Sequence, residues 1–327
     1  MGPRQSSIVT ALAGASCIAA SAVLVRLSGS SATAAALLRC AFALPLLGLL
    51  VLVDRRRPGR MAMTTRAKWL ARLSGVLLAG DLVVWAHAIA AVGAGLATVL
   101  GNLQVLLVAG LAWAVLRERP DRSLLVALPV MFAGVALVGG VAGSGTYGAH
   151  PARGVVFGIG TSILYAGYIL ILRQAMSPQM VSAPRGGIGV VRPLYEATLG
   201  ATGGAAVLAV TAGDFRIGGA AAVGWLALLA VTSQVVGWLL ISLSLPKLPA
   251  ALTSMLLLVQ PVGAIALGAV IFGESPSLDQ LGGVGLILCA VVVATAGRPI
   301  SDSMTKRRRP APALFRTPDE HDAPLSA

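Results

Sequence analysis

Long apolar stretches recur along this chain, separated by short polar or basic links. Ten runs stand out, at about 8–25, 33–53, 73–92, 96–116, 124–142, 154–172, 193–212, 222–243, 249–272 and 280–297. A membrane-crossing helix needs about 20 mostly apolar residues. The pattern therefore predicts an all-α membrane protein of ten transmembrane helices. Gly and Ala are abundant inside the runs. In a bilayer, small residues let helices approach closely, and the Gly154/Gly158 and Gly200/Gly204 spacings predict such packing.

The runs are also duplicated. Leu96–Pro120 reads LATVLGNLQVLLVAGLAWAVLRERP, and Leu252–Pro276 reads LTSMLLLVQPVGAIALGAVIFGESP. Laid together without a gap, Leu96 meets Leu252, Leu100 meets Leu256, Gln104 meets Gln260, Leu111 meets Leu267, Glu118 meets Glu274 and Pro120 meets Pro276. Five spans fall in each half, and an odd number turns the second half upside down. This is inverted-repeat topology. The predicted organisation is a first five-helix repeat over 1–145, a second over 146–298 and a disordered cytoplasmic tail over 299–327.

Composition agrees with a membrane class. Hydrophobic residues make up 57% of the chain and charged residues 11%, against roughly 25% charged in soluble domains. The net charge of +13 does not point to nucleic acid, because the cations follow the positive-inside rule. Arg55, Arg56, Arg57, Arg60, Arg66, Lys68 and Arg72 surround the link between spans 2 and 3. Arg117, Arg119 and Arg122 follow span 4, Arg173, Arg185 and Arg192 lie between spans 6 and 7, and Lys306 to Arg309 follow span 10. All fall on one face if both termini are cytoplasmic, leaving Arg26, Arg153 and Arg216 on the other. The basic start followed by an apolar run is read as a retained first span rather than a cleaved signal peptide. Cys17, Cys40 and Cys289 sit in different spans, a spacing that gives neither a metal site nor a disulfide framework.

Ionisable groups inside spans cost about 2.5–3.5 kcal/mol on insertion scales and so face a cavity or a partner. Arg39 lies early in span 2, as an anchor for an anionic cargo group or as a structural cation. Asp81 lies near the middle of span 3, with Trp85 one turn on and His87 six residues beyond it. Asp81 and His87 could relay protons or bind a cationic group. Asn102 and Gln104 in span 4, Gln234 in span 8 and Gln260 in span 9 could orient cargo or join helices. Tyr165 and Tyr168 in span 6, with Trp238 in span 8, could wall the site. Pro261 removes a helix hydrogen bond beside Gln260. Glu196, one turn after Arg192, reads as an interfacial ion pair, and Glu118 and Glu274 as residues that fix helix-end turns.

The chain holds no GxxxxGK[ST], HExxH or GxSxG pattern, which argues against ATP hydrolysis and familiar intramembrane hydrolases. No catalytic residue, metal or cofactor is predicted, so the chain reads as a non-enzyme. Its expected partners are a small-molecule substrate and the lipid bilayer. A homodimer is compatible with the pattern.

Leu38-Arg39, Asp81 with Trp85 and His87, Ala97–Asn102, Glu118 and Gly273-Glu274, on a ten-run duplicated chain of this length, resemble an EamA-type member of the drug/metabolite transporter superfamily. The resemblance covers about residues 8–297. It implies a plasma-membrane carrier that works by alternating access around a central cavity, and exporters of amino acids and other small metabolites belong to that family. One departure is clear: Val105 stands opposite Pro261, so the two pathway helices differ between halves.

Overall fold

The computed structural model describes residues 3–55, 63–104, 107, 122–139, 147–176, 190–244 and 256–296. All the secondary-structure elements among them are helical. They are α1 (Pro3–Ala19), α2 (Ser21–Ser28), α3 (Ala32–Arg55), α4 (Thr65–Val92), α5 (Ala94–Gly101), α6 (Arg122–Val138), α7 (Pro151–Ala175), α8 (Val191–Ala212), α9 (Ala220–Leu229), a π-helical stretch π1 (Ala230–Gly237), α10 (Trp238–Ser244), α11 (Val259–Phe272) and α12 (Leu278–Ala296). Each of the ten apolar runs holds a described helix. Most of the predicted fourth span, the Glu118 turn and the 299–327 tail lie outside the described residues.

Among the described residues, five helical stretches are long and apolar enough to cross a membrane: Gln5–Ser28, Ala32–Asp54, Thr65–Val92, Pro151–Ala175 and Ala220–Ile241. Leu125–Val138, Val259–Phe272 and Leu278–Val293 are shorter apolar helices. The bundle turns Leu49, Leu52, Trp69, Phe132, Val210 and Val270 outward, as a surface meant for hydrocarbon should.

Helix ends follow local chemistry. Thr64 caps α4 by accepting from the Ala67 N–H at 3.2 Å. That cap starts α4 at Thr65, ahead of the apolar run, so Arg66, Lys68 and Arg72 ride on its first turns. Gly273 ends α11 with φ +64°, a conformation that favours glycine.

The dominant packing joins the two halves. α4 packs on α7 and α8, α6 on α12, α3 on α8, and α5 on α11. Exchanging the halves maps this pattern onto itself: α4 on α7 matches α10 and π1 on α1, and α5 on α7 matches α11 on α1.

Glycine sets the closest approaches. At the α4–α8 crossing, a Cβ on Gly75 would overlap the Ala197 carbonyl, and one on Gly200 would overlap the Arg72 carbonyl. Gly200→Ala should force α4 and α8 apart, at about 1–3 kcal/mol for overpacking. Gly203 on the same helix faces open space. Thermal unfolding in detergent should show a lower midpoint for Gly200→Ala and none for Gly203→Ala.

Candidate functional site

The centre of the bundle holds a compact set of charged, polar and aromatic side chains. Arg39 lies seven residues into α3, about 10 Å along the helix at 1.5 Å per residue. It is only 5% exposed and donates from Nη2 to Gln234 Oε1 at 3.2 Å. Its Nε has no hydrogen-bond partner among the described residues. Gln234 comes from π1, on the opposite half of the molecule.

Asp81, on α4, is also buried. Its carboxylate accepts from the Thr161 hydroxyl of α7, and the same hydroxyl approaches the Asp81 carbonyl at 3.1 Å. Arg39 and Asp81 lie within Coulombic reach of one another. Among the described residues they are nevertheless absent from the ion pairs closed within 4 Å, which join Arg26 to Glu274 and both Arg72 and Arg192 to Glu196. A buried guanidinium with spare donors therefore sits near a buried carboxylate it does not touch.

Aromatic rings line the same region. Tyr165 meets Tyr168 edge-on with centroids 5.3 Å apart and stacks on Trp238 at 6.4 Å. Both tyrosines lie within Coulombic reach of Asp81. Thus α3, α4, α7 and the π1–α10 segment each contribute to one cluster. The π turn matters here, because its wider i→i+5 winding alters the facing of residues within a helix, and Gln234 lies inside it.

The other sequence-predicted residues have different surroundings. His87 is exposed on α4, stacks on Phe157 at 5.5 Å and lines a cavity of about 1030 Å³ at one end of the bundle. Trp85 packs against the apolar core formed by α2, α4, α5 and their neighbours. Asn102 donates to the Thr98 carbonyl of its own turn at 2.8 Å. Gln104, just past α5, and Gln260, in α11, are half-buried.

Thr161 carries no signal in the sequence, and Glu274 carries one only as a turn residue. Thr161 anchors Asp81, yet a lone Thr in an apolar span looks like any helix residue. Glu274, read as a turn residue, reaches further. Besides its place at the end of α11, its carboxylate accepts from the Ala94 and Gly95 N–H groups at 2.7 and 3.1 Å and pairs with Arg26. Arg26 in turn lies over the Phe272 ring at 4.1 Å. Glu196 is fully buried and holds Arg72 at 2.9 Å and Arg192 at 2.8 Å.

A bundle of duplicated apolar helices around buried charges is the build of a multi-span membrane protein. A solved structure described only as "Crystal structure of protein" is similar to 89% of this chain and covers 98% of its own, with 16% identity and a TM-score of 0.52. That likeness concerns the fold. Comparison with curated proteins finds no match. The profile of the EamA-like transporter family matches twice, over residues 5–140 and 152–296. The chain belongs to the EamA-like transporter family, and it is accordingly a membrane transporter rather than an enzyme.

Proposed function

We propose that this chain is a secondary transporter of the plasma membrane that exports small zwitterionic metabolites such as amino acids. It does so by alternating access, on ten spans arranged as two inverted repeats with both termini in the cytoplasm. The observation that carries the cargo class is the unpaired proximity of Arg39 and Asp81. A zwitterion has a carboxylate for the free guanidinium donors and an ammonium group for the carboxylate. It would complete a charge arrangement that the protein alone leaves open, which offsets the cost of burying both groups. Tyr165 and Trp238 would then face the cargo's side chain, where aromatic surface suits apolar or cationic groups.

The topology rests on charge. The basic links after spans 2, 4, 6 and 10 set the cytoplasmic face. Arg26 and Arg216 then fall at the opposite end, beside the cavity that His87 lines. Asp81 is the proposed coupling group, since its carboxylate could exchange a proton as cargo ammonium arrives and leaves.

Sealed proteoliposomes with a panel of amino acids, with and without a pH gradient, test this reading. One or a few zwitterions should move, and the gradient should change their rate. Asp81→Asn should leave the protein folded and remove the gradient's effect. An unchanged gradient dependence in that variant would exclude Asp81 as the coupling group. Movement of hydrophobic cations in place of zwitterions would favour multidrug efflux on the same fold.

A further inference from the structure

The connection between α8 and α9, Gly213–Gly219, runs without regular structure, and all of it is exposed. It is bounded by two glycines in left-handed backbone conformations, Gly213 at φ +64° and Gly219 at φ +117°. Neither has an atom near the position of a Cβ. Between these ends the segment is tied to the turn linking α2 and α3, which belongs to the other half. The Ser31 N–H donates to the Arg216 carbonyl at 2.9 Å, and the Arg216 N–H donates to Ser31 Oγ at 3.0 Å. The Thr33 hydroxyl donates to Asp214 at 2.6 Å, and the Gly218 N–H donates to Ser30 Oγ at 3.2 Å.

This segment walls the 1030 Å³ cavity. Gly213, Asp214, Phe215 and Arg216 line it together with Arg26 and His87. The cavity lies above the Arg39–Asp81 cluster on the same two helices: Ala32 opens α3 seven residues before Arg39, and His87 follows Asp81 by six residues on α4. None of the cluster residues lines the cavity. Along the two helices Leu38 and Trp85 stand between these levels, and both pack against the apolar core.

We propose that Gly213–Gly219 is a clasp that must leave the α2–α3 turn before the Arg39–Asp81 site opens to this face. The inference rests on that cluster being the cargo site. Of the four hydrogen bonds, three join neutral groups and are individually weak, and the fourth, from the buried Thr33 hydroxyl to the Asp214 carboxylate, is the stronger tie, so few contacts have to break for the clasp to release. The glycine ends permit the backbone rotation, and the release would free α3, with Leu38, to move relative to α4. Opening would then expose Arg39 through the existing cavity, which would serve as the exit vestibule for cargo.

The test follows the clasp without needing a cargo. In protein with Cys17, Cys40 and Cys289 replaced by Ala, Leu38→Cys is the reporter, labelled by a polar, membrane-impermeant maleimide. A second pair, Ser31→Cys with Arg216→Cys, is oxidised to tie the clasp shut, the reporter being blocked reversibly during oxidation. Labelling of Leu38→Cys should fall at least tenfold in the oxidised protein and recover on reduction. Gly218→Ala provides a change of opposite sign, since its Cβ would overlap the Ser28 carbonyl and push the clasp off. Labelling should then exceed that of the parent. Equal labelling in the oxidised and reduced states would overturn the proposal and make the segment a static brace. Failure of the 31–216 disulfide to form in folded protein would also overturn it. If the clasp behaves as expected while zwitterion transport is absent, the cargo reading fails and the clasp stands.

Discussion

Arg39→Met should abolish most transport while leaving the protein at least as resistant to heat as the parent. A cation kept for structure would be fully paired, and removing it would destabilise the fold. Arg39 offers five N–H donors, and among the described residues the one hydrogen bond drawn from it goes to Gln234, with Nε unmet. Removing one partner of a closed buried ion pair costs about 3–5 kcal/mol because it strands the other charge, but Arg39 closes no such pair among the described residues, and an apolar side chain of similar volume is spared the cost of burying a guanidinium. Gln234 loses its donor, at about 1 kcal/mol, which the relief outweighs. The loss should appear in cargo binding. A charge-assisted hydrogen bond is worth about 1.5–3 kcal/mol, or roughly 10–100-fold in affinity. Arg39→Lys should not restore it, because an ammonium on a flexible stem cannot hold Gln234 and a carboxylate in the planar fork of a guanidinium. Thermal unfolding and cargo flux on the same preparations decide the matter. A destabilised Arg39→Met that still transports would make Arg39 a strut.

Glu274→Ala should have the opposite signature, a large loss of stability. The Glu274 carboxylate satisfies two N–H groups at the start of α5, a helix end that otherwise leaves its first donors unmet. Each buried N–H so orphaned costs about 1–3 kcal/mol. The Arg26 side chain is 36% exposed, so water can compensate it, and most of the loss comes from the backbone. We expect about 3 kcal/mol in total, read as a fall of several degrees in the unfolding midpoint. Glu274→Gln keeps one oxygen acceptor and should lose about half as much. The surroundings are fitted to the carboxylate: a Cβ on Gly268 or on Gly93 would overlap its oxygens. An unaltered midpoint in Glu274→Ala would show that water reaches this helix end.

The contrast between these residues shows what a sequence of this type discloses. Arg39, Asp81 and Gln234 were conspicuous because polarity in an apolar run is expensive wherever it occurs. Their mutual arrangement was not legible, since it depends on α3 and α4 meeting π1 and α7 across the two halves. Local periodicity says nothing about such crossings. The same limit applies to His87, whose axial depth resembles that of Arg39 but whose side chain turns to the cavity. Trp85 shares a helix face with Asp81 and still packs into the core. Among the described residues the helix boundaries followed hydropathy to within about five residues, except at α5, which gives way to a turn after Gly101 inside its run, and at α4, where Thr64 and a basic first turn add eight residues ahead of the apolar run. Helix propensity tolerates Arg and Lys well, but a hydropathy reading stops at them. The π turn at Ala230–Gly237 had no marker at all, because its residues suit an α-helix equally.

The exchange pattern of helix contacts bears on how the chain is made. α4 has its most extensive contacts with α7 and α8, both from the later half. A ribosome that has delivered the first 145 residues has thus delivered α4 without either helix that covers it. Gly75 then faces lipid where it will later meet the backbone of Ala197, and Asp81 lacks the Thr161 hydroxyl that will hold it. The early half must wait in the bilayer with its polar centre incomplete. Separately expressed halves should therefore be short-lived alone and gain lifetime when made together.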